Sequence, residues 1–417
     1  MRSQYFCLLI VCILVNLTSG KLIFVHVHAR HGARAPLTLV RDSYFNGLNI
    51  SELTEAGKSQ MFKIGERLRE KYTNNDYFPL LSNESFARTT SSQRSIDSAQ
   101  YLMQGIFPGD SKYIGTYEPD FVGEYLKKLG SVVYKRGIYS PYFMIEDPIA
   151  YGKWPAAFNS FSERTRNDTL WNSFNERFQN TLYVKLEELY NIPHDLITLD
   201  YAFFLWDALI SEKFHKITEK ADKMSLEDWA LCKETSALKF DYVHDEVFNK
   251  ILPNLFLSPV IEMMKKTISP LTDIEYDRDQ TSVYKNSKFI LYTTHDVFLY
   301  YLNNLIKPRN LELKHVDFGA YFTFELHQND SSECSDNPDL SCFYVTISYN
   351  DFQVHSNLCK LKECKLDELQ NMLYKYDSKI WEQELTKRPG SMSIHKKDLE
   401  ELYDMYNRNH ANVKDDL

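Results

Sequence analysis

The chain has 417 residues, enough for one large domain or two and for a substantial core. Hydrophobic residues make up 43% and charged residues 25%, which excludes an intrinsically disordered chain, and the 14% aromatic content favours large side chains packed in a core. A formal net charge of -9 excludes a general nucleic-acid partner, so any anion site must be local.

Residues 1–20 read as a secretory signal peptide. Arg2 supplies a positive start, Tyr5 to Val15 is an apolar run too short to cross a bilayer, and Thr18-Ser19-Gly20 offers small residues for cleavage. The mature chain is expected to begin near Lys21, without a membrane span, in the secretory pathway, either secreted or in the lysosomal lumen. Residues 21–29 read as a buried strand. Residues 54–72 predict a helix that Thr54 can cap, with Met61, Ile64, Leu68 and Tyr72 at helical spacing. A short extended piece ends at Phe86 and Ala87. A second helix is expected from about Ser92, with Ile96, Ala99, Met103 and Ile106 on one face, and it stops at Phe107-Pro108-Gly109.

From 115 to 260 the pattern is mainly helical and rich in Trp, Tyr, Phe, Lys and Glu, as in LWNSFNERFQNTLYVKLEELYNI. Strand character returns at 288–294, followed by a helix over Val297 to Ile306. GAYFTFELH and SCFYVTISY then suggest an antiparallel hairpin. The alternation predicts an α/β fold: a mainly parallel sheet flanked by helices, with 21–114 and 261–417 as the core and 115–260 as an inserted, mainly helical domain.

Seven cysteines occur, of which Cys7 and Cys12 leave with the signal. Local spacing pairs Cys334 with Cys342 and Cys359 with Cys364, leaving Cys232 as a buried thiol. Sequons at Asn49, Asn83, Asn167 and Asn329 fit a glycoprotein.

The stretch HARHGARAP, residues 28–36, places a histidine between two arginines directly after the first strand. In an open α/β sheet, ligands bind at the carboxyl ends of strands. Arg30 and Arg34 offer forked, permanently charged donors suited to phosphate oxygens, and Gly32 lets backbone approach closely. His31 should resist protonation beside two fixed positive charges, and a neutral imidazole next to bound phosphate is a nucleophile.

Arg30-His31-Gly32-x-Arg34-x-Pro36 resembles the signature of the histidine acid phosphatases, a branch of the histidine phosphatase superfamily. The likeness continues through Leu53-Thr54-x-x-Gly57-x-x-Gln60, Gly65-x-x-Leu68-Arg69-x-x-Tyr72, and Ala87-Arg88-Thr89-Thr90 with Arg94, Ser98 and Ala99. It resumes at Thr294-His295-Asp296 and at Phe318-Gly319-Ala320 with Phe324-Glu325-Leu326. The resemblance implies hydrolysis of phosphomonoesters at acidic pH. His31 would be the nucleophile that forms a phosphohistidine. Arg30, Arg34 and Arg88 would hold the phosphoryl oxygens, with His295 also on the phosphate, and Asp296 would protonate the leaving oxygen. Arg94 is read as an ion-pair partner that supports the fold. No metal or other cofactor is required, because the arginines neutralise the charge. Family members are often homodimers.

Two rival readings stay open on the residues alone. His26-Val27-His28 puts two imidazoles on one side of a strand, a spacing used by metal-dependent hydrolases. A catalytically silent, secreted phosphate- or lipid-binding protein could keep the arginines, but it would not need His295-Asp296.

Overall fold

A computed structural model of the chain describes residues 20–37, 48–73, 80–90, 92–110, 169–243, 246–281 and 284–373, the short strands at 132–133 and 138–140, and Phe45 and Phe78. The expected signal peptide (apart from Gly20), the sequon at Asn167 and most of 115–168 lie outside the described residues.

The strands are β1 (Gly20–Arg30), β2 (Ser85–Thr89), β3 (Val132–Val133), β4 (Ile138–Ser140), β5 (Phe289–Thr294), β6 (Tyr321–Asn329), β7 (Phe343–Tyr349), β8 (Phe352–Val354) and β9 (Cys364–Lys365). They form one sheet in the order β3-β4-β2-β5-β1-β6-β7-β8, with β9 paired to β7. β1, β5, β2 and β4 run parallel, with Val27 opposite Leu291 and Ala87 opposite Leu291 across β5. From β6 outward the sheet is antiparallel, and β6 and β7 form the expected hairpin with Phe324 opposite Ile347. The fold is therefore α/β with a mixed sheet, and its parallel half contains β1.

Period-two alternation along β1 separates two cores. Val25, Val27 and Ala29 face one side, where they meet α1 (Glu55–Thr73) and α2 (Gln93–Ile106). The expected faces of both helices are buried there: Met61, Ile64, Leu68 and Tyr72 from α1, and Ala99, Met103 and Ile106 from α2. Thr54 caps α1 as expected, its hydroxyl accepting the Gly57 N–H at 3.0 Å. Phe24 faces the opposite side, together with Tyr292, Phe322 and Phe324.

Four helices in the middle of the chain, α3 (Thr169–Gln179), α4 (Leu182–Tyr190), α5 (Leu199–Phe214) and α6 (Leu226–Val243), build a cluster of their own around Tyr183, Leu186, Leu205 and Trp206. The next helix, α7 (Glu246–Ile268), runs straight through the expected boundary at 260. The reason is packing: Leu257, Val260, Met263 and Met264 lie in the second core, against α8 (Asp296–Ile306) and the sheet, and not in the four-helix cluster. Farther along the chain, α9 (Leu366–Leu373) buries Leu366 and Leu369 in that same core.

Both expected disulfides are present, Cys334–Cys342 and Cys359–Cys364, and Cys232 is a buried free thiol. Burial pushes the Cys232 thiol up, with a smaller push from Asp228, so it is inert. No helix among the described residues is long and apolar enough to cross a membrane.

Candidate active site

The carboxyl ends of β1, β2 and β5 meet at one edge, and each chain segment leaving that edge supplies side chains to one cluster. β1 ends at Arg30, and the following loop is pinned on all sides. His31 N–H donates to the Thr294 carbonyl at 3.0 Å, and Gly319 N–H donates to the His31 carbonyl at 3.0 Å. Gly32 N–H donates to Ser98 Oγ at 2.9 Å, and Ala33 N–H to Gln60 Oε1 at 3.0 Å. The start of α1 presses on this loop so closely that a Cβ on Gly57 would lie 1.9 Å from the Ala33 carbonyl oxygen. That approach requires glycine.

His31 is buried, and its Nδ1 lies 2.9 Å from the Gly32 carbonyl oxygen. A carbonyl only accepts, so Nδ1 carries the proton and the Nε2 lone pair of a neutral ring is left available. Burial and the charges of Arg94, Arg30 and Arg34 hold the His31 pKa well below its ordinary value. The ring therefore stays neutral, and nucleophilic, in acid.

Arg30 pairs with Asp296 at 2.7 Å and donates to the Val316 carbonyl. Arg34 makes a forked pair with Asp207 of α5, at 2.7 and 3.0 Å, and Asp207 also accepts the Leu37 N–H at 2.8 Å. Burial alone would raise the Asp207 pKa, but Arg34 and these hydrogen bonds carry it below its ordinary value. The Arg30 and Arg34 guanidiniums both lie over the Phe318 ring, at 4.3 and 5.5 Å.

His295 stands at the N-cap position of α8 without a side-chain capping bond, and Asp296 opens its first turn. The His295 ring lies 5.4 Å from that of His31. Arg94 Nη2 donates to His295 Nδ1 at 3.3 Å, so His295 Nε2–H points to Thr90 Oγ1 at 3.2 Å. Arg94 also donates to Ser51 Oγ at 2.6 Å. Burial and the neighbouring Arg34 lower its pKa to about 9, which leaves it charged in acid. Among the described residues, the buried Nε–H groups of Arg30, Arg34 and Arg94 have no hydrogen-bond partner. A phosphoryl group offers the acceptor oxygens such donors need.

Five of the six expected site residues thus converge: Arg30, His31, Arg34, His295 and Asp296. Arg88 does not join them. It stands on β2 opposite Tyr292, one residue before the strand ends at Thr89, so it lies below the edge, and it donates to Tyr284 Oη at 3.0 Å. Arg94, read from the sequence as a fold-supporting partner, lies beside His295 instead, because the first turn of α2 carries it over the edge. A strand–loop–helix reading of 85–106 contained that signal: the residue to seek lay after the strand, as it does for His31. Nothing in the sequence pointed to Asp207, 173 residues beyond Arg34.

His26 and His28 are packed inside the sheet. His26 Nδ1–H donates to the Ile290 carbonyl at 3.1 Å, and His28 Nε2 bonds with Thr294 Oγ1 at 2.9 Å. Both rings stand edge-on to Tyr292, and burial lowers both pKa values, that of His26 to about 3. This is the environment of core histidines below the ligand-binding edge.

The family model of the histidine phosphatase superfamily, branch 2, matches residues 21–350. The chain belongs to that superfamily. The matched span takes in the loop after β1, Arg94, His295 and Asp296. A mouse (Mus musculus) protein named lysophosphatidic acid phosphatase type 6 is 25% identical over 343 residues, covering 79% of this chain and 69% of that protein. Putative acid phosphatase 10 of Caenorhabditis elegans is 34% identical over 118 residues, 26% of this chain. The chain spans only 29% of that nematode relative and 23% of putative acid phosphatase 11 from the same organism. In three dimensions, apo phytase of Hafnia alvei superposes with a TM-score of 0.57 at 11% identity, covering 85% of this chain and 97% of that one. The fold is likewise similar to that of a multiple inositol polyphosphate phosphatase from Bifidobacterium longum, with a TM-score of 0.55, 11% identity and coverage of 86% and 93%.

Proposed function

We propose that the chain is a histidine acid phosphatase that hydrolyses phosphomonoesters through a phosphohistidine on His31. The observation that carries this reading is the tautomer of His31: Nδ1–H is tied to Gly32, and Nε2 is available among the guanidiniums of Arg30, Arg34 and Arg94. In the first step Nε2 attacks phosphorus as the ester P–O bond breaks. The arginines take up charge on the phosphoryl oxygens, which is the main demand of phosphoryl transfer. Asp296 gives its proton to the leaving oxygen, releasing the alcohol. In the second step water attacks phosphorus, Asp296 accepts its proton, the N–P bond breaks, and the electron pair returns to Nε2 as orthophosphate leaves. Asp296 must carry its proton in the first step, so the enzyme is expected to work in acid. The depressed pKa of His31 keeps the nucleophile competent there.

Two disulfides and the exposed sequon residues Asn49, Asn83 and Asn329 support a glycosylated protein of the secretory pathway, secreted or lysosomal. The helical segment within 115–260 would select the substrate.

The test is phosphate release from a generic aryl phosphate between about pH 3 and about pH 9, with a chelator present. Acidic activity that disappears in His31→Ala, and an acid-labile phosphoenzyme trapped only when His31 is present, are the expected results. Activity unaffected by His31→Ala would overturn the proposal.

A further inference from the structure

We propose that a pocket beside the phosphate site is a leaving-group subsite for aromatic phosphomonoesters that carry a second negative charge. This rests on the phosphomonoesterase reading above. The pocket has a volume of about 350 Å³ and lies between the four-helix cluster and the loop that leads into β6. Trp206, Lys213 and Phe214 come from α5, Trp229 and Lys233 from α6, and Phe318 from the loop.

Phe318 ties the pocket to the reacting centre. Its ring centroid lies 6.0 Å from that of His31, and the guanidiniums of Arg30 and Arg34 cover it. Phe214 stands edge-on to it at 5.9 Å, and Trp206 stands edge-on to Trp229 at 5.3 Å. These aromatic side chains adjoin the reacting centre through Phe318, at the spacing aromatic pairs favour.

The polar lining selects what that ring should carry. Lys213 Nζ lies 3.9 Å over the Trp229 ring, and Lys233 is exposed on the next helix. Among the described residues neither lysine has a carboxylate partner at ion-pair distance, although the chain as a whole is acidic. Asp317, exposed at the rim, is the one carboxylate of the lining and faces His315 at 3.7 Å. An acyl chain would leave the lysines unanswered. A small alkyl ester would leave the aromatic walls uncovered. An aryl ester bearing a carboxylate or second phosphate answers both.

The experiment compares kcat/KM for 4-carboxyphenyl phosphate, phenyl phosphate and glycerol phosphate at a pH where the carboxylate is ionised. The expected order is carboxyphenyl over phenyl over glycerol ester. In the double variant Lys213→Ala, Lys233→Ala the carboxyphenyl-to-phenyl ratio should fall about 3- to 10-fold, the size of two exposed charge contacts, and chiefly through KM. Trp229→Ala should lower the phenyl-to-glycerol ratio. Lys223→Ala, on the same helical cluster but outside the pocket, is the control for general charge loss. Ratios that do not change in the pocket variants, or that change equally in Lys223→Ala, overturn the subsite while the phosphatase reading stands. Absence of hydrolysis of all three esters by the wild type removes that reading, and the subsite with it.

Discussion

Exchanging the two arginines of the β2–α2 segment separates catalysis from packing. Arg94→Ala removes a guanidinium that donates to Ser51 at 2.6 Å and to His295 at 3.3 Å, beside the His31 imidazole. Loss of one preorganised donor aimed at transition-state charge typically lowers kcat by roughly 100- to 1,000-fold, or about 3–4 kcal/mol. Arg88→Ala removes instead a hydrogen bond to Tyr284, worth about 0.5–1.5 kcal/mol of stability. Its kcat/KM should change by less than about tenfold. A second readout follows from electrostatics. Arg94 is the foremost charge holding the His31 pKa down, so without it the imidazole protonates at higher pH. The acid limb of the pH–rate profile should move upward in Arg94→Ala and stay in place in Arg88→Ala. Arg94→Lys keeps the charge but loses the fork, and should fall between wild type and Arg94→Ala in rate. The assay is steady-state phosphate release over pH, with melting temperatures to monitor the fold. A larger rate loss in Arg88→Ala than in Arg94→Ala would refute the assignment.

Three further outcomes are expected. Asp207→Ala leaves the Arg34 guanidinium buried without its carboxylate, which costs about 3–5 kcal/mol and should appear as a lower midpoint in urea; an unchanged midpoint would mean that the pair does not hold α5 against the site. Glu325 accepts hydrogen bonds from Tyr72 and Lys71 and lies beside His327; burial would raise its pKa, but these partners lower it from 4.5 to about 2. A lowered folded-state pKa stabilises above the unfolded value, here by about 3 kcal/mol, and that share is lost as pH falls from about 4.5 to about 2. The stability gap between wild type and Glu325→Gln should therefore be full at pH 6 and close below about pH 4.5, and a gap constant to about pH 2 would contradict the sign. Gly57→Ala drives a methyl toward the Ala33 carbonyl, so α1 or the His31 loop must shift; a stability loss of about 1–3 kcal/mol together with reduced kcat is expected, and wild-type behaviour in both would show that the contact is slack.

Much of the machinery was legible because it is local. The strand before Arg30, the Thr54 cap, the buried faces of both early helices and the short-range disulfides each depend on periodicity or spacing within about twenty residues. His31, Arg34, His295 and Asp296 could be placed because each lies within four residues after a strand, and the carboxyl edge of a parallel sheet is where such residues gather. Arg88 and Arg94 show where that logic stops. They lie six positions apart, and which one reaches the phosphate edge depends on how many rows β2 extends before the chain turns. Pairing with β5 settles that count, since Thr89 opposes Thr293 and leaves Arg88 below the rim. The antiparallel half of the sheet, the run of α7 past residue 260 and the grip of Asp207 on Arg34 are of the same kind. Each joins segments far apart in the chain, and such contacts are set by burial and register between elements, which periodicity within one element does not encode.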